Sequence, residues 1–164
     1  MHYFILVTTA VLTALIAGLF YSYSCSVMPG LAKMGDKEFV AGMNAINVAI
    51  INPVFMLSFM GTAILLPLST YLEYRAFAGA RFYLLLAASI FYLIGTFGVT
   101  MFGNVPLNDA LARINANTAT AEELYHQRMT FEGTWNKLNS IRTIASLLSL
   151  ISVIMACLSE KTML

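Results

Sequence analysis

Charge is scarce in this sequence. Asp, Glu, Lys and Arg make up 10% of its 164 residues, where soluble domains carry about 25%. The net charge is +1, from 9 basic and 8 acidic residues. That leaves no basic patch of the kind nucleic acid requires, so no nucleic-acid partner is expected. Cysteine is limited to Cys25 and Cys157. Both fall in apolar stretches near opposite membrane faces, beyond the ~7 Å Cα separation of a disulfide. Each reads as a small apolar side chain. Histidine is limited to His2 and His126. Glu122 and His126 are four apart, but no further ligand accompanies them, and no metal site is expected. His2 reads as a terminal residue without a role. No phosphate loop, no G-x-S-x-G elbow and no haem or flavin signature occurs. No cofactor is expected.

Hydrophobic residues are abundant instead, at 59% of the chain, with a mean hydropathy of +0.78. Lipid is the expected solvent. A span needs about 20 apolar residues, and four segments qualify: about 3–28, 53–71, 82–102 and 141–158. The first begins "MHYFILVTTA", without the basic start or cleavage site of a signal peptide. It reads as a retained membrane helix that Pro29-Gly30 ends. Gly18, Ser22 and Ser26 form a small-residue stripe on it, which suggests close helix packing. Pro67 should kink the second span.

The connections also carry helical signals. Asp36 reads as the N-cap of a helix through Ile46, with Phe39, Met43 and Ile46 at amphipathic spacing. Asn52-Pro53 reads as a cap with proline at the first helical position. "TAEE" at 120–123 matches a capping box and should start a helix through Phe131, until Gly133 interrupts it. The expected fold is all-α: an integral membrane four-helix bundle, one domain over residues 1–164, with two amphipathic surface helices roofing one side. Both termini fall on the other side. Counting Lys33, Lys37, Arg113, Arg128, Lys137 and Arg142 against Arg75, Arg81 and Lys161 puts the roof inside. The denser charge of the short loop points the opposite way. For a bacterial chain the plasma membrane is the expected location.

Polar residues gather at the roofed end. Tyr92, Thr96, Thr100, Asn104 and Asn108 are each four apart, one stripe if the helix continues. Pro106 should bend or break that helix, since its ring collides with the carbonyl of Phe102. A freed carbonyl there needs a partner, and nearby asparagines are candidates. Trp135, Asn139 and Arg142 follow an i, i+4, i+7 pattern. Arg142 lies inside an apolar run, where a charge costs at least about 2.5 kcal/mol. It should face the bundle, with Asp109, Asn104 or Asn108 as partner.

Four motifs then stand in order: "MPGL", "MNAIN" followed by "NPVF", "NVPLND", and "WNKLNSIRT". Together they resemble the anthrone oxygenase-like family of small four-span membrane proteins, from about Tyr21 to Ala145. The matching residues are Asn44, Asn47, Asn52, Pro53, Asn104, Pro106, Asn108, Asp109, Trp135, Asn136, Asn139 and Arg142. The resemblance implies oxidation of an anthrone to an anthraquinone by molecular oxygen, without a recognised cofactor.

Chemistry assigns the roles. A flat, acidic methylene ketone needs an apolar slot, a base and donors for an oxyanion. Asp109 is the candidate base, with Arg142, Asn104 and Asn108 holding the oxyanion. Tyr21, Asn44, Asn47, Asn52, Tyr92, Thr100, Phe102, Trp135 and Asn139 are candidate substrate-binding residues. The alternative is a non-catalytic structural or lipid- or ligand-binding subunit of a membrane complex. Expected partners are the bilayer, a small hydrophobic aromatic ligand, and a membrane protein or second copy of the chain. A transporter has little support, since no midplane charge or inverted repeat is present.

Overall fold

The computed structural model describes residues 2–76 and 79–159, with side chains from Phe4 onward. The reading on Lys161 lies outside the described residues, and that on His2 concerns a side chain outside those described. Five helical runs and no strand occur among those described: α1 (2–31), α2 (Asp36–Ile50), α3 (Pro53–Ala76), α4 (Ala80–Ala112) and α5 (Ala121–Leu158). Four of them, all but α2, are long and apolar enough to cross a membrane. α1 packs on α3 and α5, and α4 also packs on α3 and α5, so the long helices close a ring. Their outward faces are apolar, as Val7, Val11, Val54, Leu57, Ile94, Ile144 and Ile151 show. Such faces suit contact with lipid tails.

Several helices run on where stops were expected. α1 passes Pro29-Gly30 and ends at Leu31. α4 passes Pro106 and ends at Ala112. In both cases a wide π-helical turn comes just before the proline, Tyr23–Val27 in α1 and Thr100–Asn104 in α4. A proline ring collides with the carbonyl of the preceding α-turn. A π turn, with its i→i+5 bonds, opens the backbone at that point, and the helix continues. Gly133 does not interrupt α5 either. A glycine costs only about 1 kcal/mol in a helix interior, and buried Phe131 and Trp135 hold the segment on either side. The expected surface helix from Thr120 is thus the first part of a 38-residue α5, about 57 Å long at 1.5 Å per residue. α2 is therefore the one separate roof helix. Its N-cap is Gly35, because the Asp36 side chain is drawn to Arg128 Nη1 at 2.9 Å.

The expected caps are present. Thr120 Oγ1 accepts from Glu123 N–H at 3.2 Å, and Glu123 Oε2 accepts from Thr120 N–H at 2.8 Å. Asn52 Oδ1 accepts from the N–H groups of Val54 and Phe55, both at 3.0 Å.

The interior is rich in hydroxyls, most of which donate to a carbonyl one turn back. Thr13 to Thr9, Thr62 to Ser58 and Thr70 to Leu66 are examples. Others join helices: Ser149 donates to Ala88 O, and Tyr92 to Phe59 O. Where lipid surrounds a bundle, such bonds and close approach hold helices together. Gly95 supplies the closest approach, since a Cβ there would stand 2.5 Å from Ala145 Cβ. The Gly18 stripe does not pack: Gly18 is exposed, with nothing within 4 Å of an added Cβ. At the end away from the roof, buried Arg81 pairs with Glu73 at 3.6 Å. It also donates to the carbonyls of Ala156 and Ser159, capping α5. The two cysteines are free.

Candidate functional site

Under α2 lies a cavity of about 370 Å³, within the usual size range of small-molecule sites. Four helices and the α2–α3 corner line it. α1 gives Leu19, Phe20 and Tyr23. α2 gives Asn44, Asn47, Val48 and Ile50, α4 gives Thr100, Asn108 and Asp109, and α5 gives Trp135 and Arg142.

Arg142 is the focus. It is 5% exposed, and among the described residues no carboxylate pairs with it. Its Nε donates to Asn139 Oδ1 at 3.0 Å, and its Nη1 to Thr100 Oγ1 at 3.4 Å. Its guanidinium carbon lies 4.1 Å from the Phe20 ring centroid and 5.1 Å from that of Trp135. Cation–π contact of this kind is worth about 2 kcal/mol when desolvated. Neutral partners thus hold the charge in place without cancelling it.

The helix geometry explains the convergence. Residues four apart drift by about 40° per step in a regular α-helix, so five of them would wind well round α4. The π-helical turns at Phe91–Gly98 and Thr100–Asn104 take up that drift. Tyr92, Thr96, Thr100 and Asn104 are accordingly all buried on one side. In α1 the π turn places Tyr23 and Met28, five apart, inward.

The candidate residues separate into three groups. Asn44, Asn47, Thr100, Asn108, Asp109, Trp135 and Arg142 line the cavity. Asn104 and Asn139 stand behind the wall, both buried. Asn104 Nδ2 donates to Trp135 O at 3.3 Å, so this amide is used there and not on the Phe102 carbonyl. Asn139 Nδ2 donates to Ser24 Oγ at 2.8 Å, tying Arg142 to α1. Tyr21, Asn52, Tyr92 and Phe102 do not line the cavity. Tyr21 and Phe102 face outward, 55% and 86% exposed, while Asn52 caps α3 and Tyr92 is used inside the bundle.

Asp109 is exposed and makes no ion pair with Arg142. Asn108 Oδ1 instead accepts from Trp135 Nε1 at 2.8 Å. Three buried amide atoms lack partners among the described residues: Asn44 Oδ1, Asn47 Nδ2 and Asn104 Oδ1. Asn44 and Asn47 are also lining residues of the cavity, contributed by α2. Unpartnered buried amide atoms are costly to leave bare.

The residues missed by sequence reading include Leu19, Phe20, Tyr23 and Phe55. A signal was present for two of them. Ile16, Phe20 and Tyr23 stand at i, i+4 and i+7, an inward stripe. Tyr23 meets Trp135 with ring centroids 5.5 Å apart. Glu122 and His126, 3.9 Å apart, are both largely exposed, and no three His, Cys, Asp or Glu cluster among the described residues.

Fold and site thus define an integral membrane helical protein with a lined interior cavity. The anthrone oxygenase family model matches residues 55–152, more than half of the chain, and the protein belongs to that family. The match begins after "MPGL" and "MNAIN", so those two motifs lie outside it. No curated protein matches the chain, and no solved structure does.

Proposed function

We propose that the protein is a cofactor-independent oxygenase acting on a flat, hydrophobic, anthrone-like ketone. Arg142 is the observation that carries this reading. A buried cation held by neutral partners beside aromatic faces is suited to a charge that appears only during reaction.

The ketone oxygen sits against Arg142 and Thr100, and the aromatic body lies among Phe20, Tyr23 and Trp135. Asp109, the acidic residue of the lining, takes a proton from the methylene carbon. The electron pair moves onto the ketone oxygen, where Arg142 stabilises it. The resulting anion reacts at its carbon with molecular oxygen, forming a C–O bond and a peroxide. Asp109 returns its proton to the terminal peroxide oxygen. It then removes the second hydrogen of that carbon as a proton. The C–H pair becomes the new carbonyl bond, the O–O bond breaks, and hydroxide leaves with the proton as water. One anthrone and one O₂ give one anthraquinone and one water.

Behind the wall, Asn139 and Asn104 position Arg142 and Trp135. Asn44 and Asn47 meet polar groups of the ligand. We place both termini on one side of the cell membrane, as four spans require. Purified protein given an anthrone should consume oxygen and form quinone in equal amounts. If wild type and Arg142→Ala both run at the uncatalysed rate, the oxygenase reading fails.

A further inference from the structure

We infer that the cavity is filled from the bilayer, through a lateral portal at the corner between α2 and α3. Its ligand is then an uncharged molecule dissolved in lipid. This rests on the reading above only in taking the cavity as the ligand site.

The cavity changes character from its inner end to its rim. Trp135 and Arg142, inside, are 1% and 5% exposed. Val48 and Ile51, at the rim, are 76% and 73% exposed. Leu19, Ile50 and Phe55 complete this side of the lining, so the mouth here is apolar. The same surface continues onto α3 through the exposed Val54 and Leu57. Large apolar side chains of this kind each cost about 1.5–3 kcal/mol to hold in water. Among hydrocarbon tails they cost nothing.

The sequence around the corner agrees. Between Glu38 and Glu73 there is no Asp, Glu, Lys or Arg. The charges of α2 stand in its first turn, at Asp36, Lys37 and Glu38, and its outward residues beyond that turn are Ala41, Ala45, Val48 and Ala49. α2 therefore descends from a polar start to an apolar finish. The other two roof-side turns differ. One carries Lys33 and is gripped by Arg128, and the other carries Arg113, Asn115 and Asn117.

The N–H groups at the corner are paired within the chain. Ile51 N–H donates to Val48 O at 3.3 Å, and Asn52 N–H to Ile50 O at 2.9 Å. The Asn52 side chain donates to Ala49 O at 2.9 Å while accepting from Val54 and Phe55. A chain reversal at lipid depth needs this kind of internal pairing. The rim is not apolar all round. Asp109 and Ala112, both exposed, line the α4 side, where protons can exchange with water while the apolar body arrives from lipid.

The experiment uses the chain's single tryptophan, Trp135. The full protein is reconstituted in phosphatidylcholine vesicles with brominated acyl chains, and in unbrominated vesicles with acrylamide in the water. Bromine should quench Trp135 several-fold more than acrylamide does. Val48→Phe, at an exposed position that tolerates bulk, should fill the mouth and at least halve the bromine quenching. Acrylamide quenching equal to or above that by bromine, or bromine quenching unchanged in Val48→Phe, overturns the portal. The readout needs no turnover. Protein that passes it but consumes no oxygen keeps the portal and loses the oxygenase reading. Protein that consumes oxygen and fails it loses the portal alone.

Discussion

Arg142 donates from Nε to Asn139 Oδ1 at 3.0 Å, and Asn139 in turn donates to Ser24 of α1. An amide thus stands where a carboxylate would commonly meet a buried arginine. The guanidinium keeps its full charge for whatever enters the cavity.

That arrangement separates stability from function. Carrying a charge inside an apolar run costs at least about 2.5 kcal/mol. Arg142→Met should therefore have a thermal midpoint equal to or above wild type in detergent. Its rate of quinone formation should fall about 100-fold or more, as when an oxyanion donor is removed. Paired thermal melts and oxygen uptake on the same preparations check this.

Gly95 and Ala145 form a second separable pair. Gly95→Ala sets a methyl 2.5 Å from Ala145 Cβ, and overpacking of this kind costs about 1–3 kcal/mol. Ala145→Gly in the same chain should restore most of the loss. Thermal unfolding of the two single variants and the double variant measures the coupling.

The roof depends on Arg128. It donates to Ala32 O, Met34 O and Asp36 Oδ1, each at 2.9 Å, and to Glu132 Oε2 at 2.8 Å. It also lies 4.5 Å from the Phe39 ring centroid. Each charge-assisted bond is worth about 1.5–3 kcal/mol. Arg128→Ala should therefore raise amide exchange in α2 about tenfold or more, while exchange in α3 is unchanged. Hydrogen exchange read by mass spectrometry shows which.

Arg81 holds the opposite end, where it pairs with buried Glu73 and caps α5. Breaking a buried pair by removing one partner costs about 3–5 kcal/mol. Arg81→Ala should lose stability on that scale, yet keep ligand affinity per folded molecule, because the cavity lies at the roofed end. A thermal melt and a binding titration separate the two effects.

The spans were legible because an apolar run of bilayer length would be costly to keep in water and suits lipid directly. The caps at Asn52 and Thr120 were legible because their spacing encodes a hydrogen bond. So was the gathering of Asn108, Trp135 and Arg142, since an intramembrane arginine must turn inward. Helix phase was not legible. Regular α-turns give no sign that a π turn brings Met28 inward five residues after Tyr23. Nor does the sequence show that proline is accommodated after such a turn, or that packing by Phe131 and Trp135 carries α5 through Gly133. Depth behind the wall was hidden as well. Tyr92 and Asn104 share the inward stripe with Thr100, but neighbouring carbonyls take their side chains before the cavity is reached.

The central claim is that Arg142 holds a ligand oxygen inside this cavity. Titrating vesicle-reconstituted protein with anthraquinone, a flat ketone that does not turn over, and following Trp135 emission tests it most directly. Wild type should show saturable quenching, and Arg142→Met should need at least tenfold more ligand for the same effect. Identical curves for the two proteins, or no saturable quenching in wild type, would contradict the account.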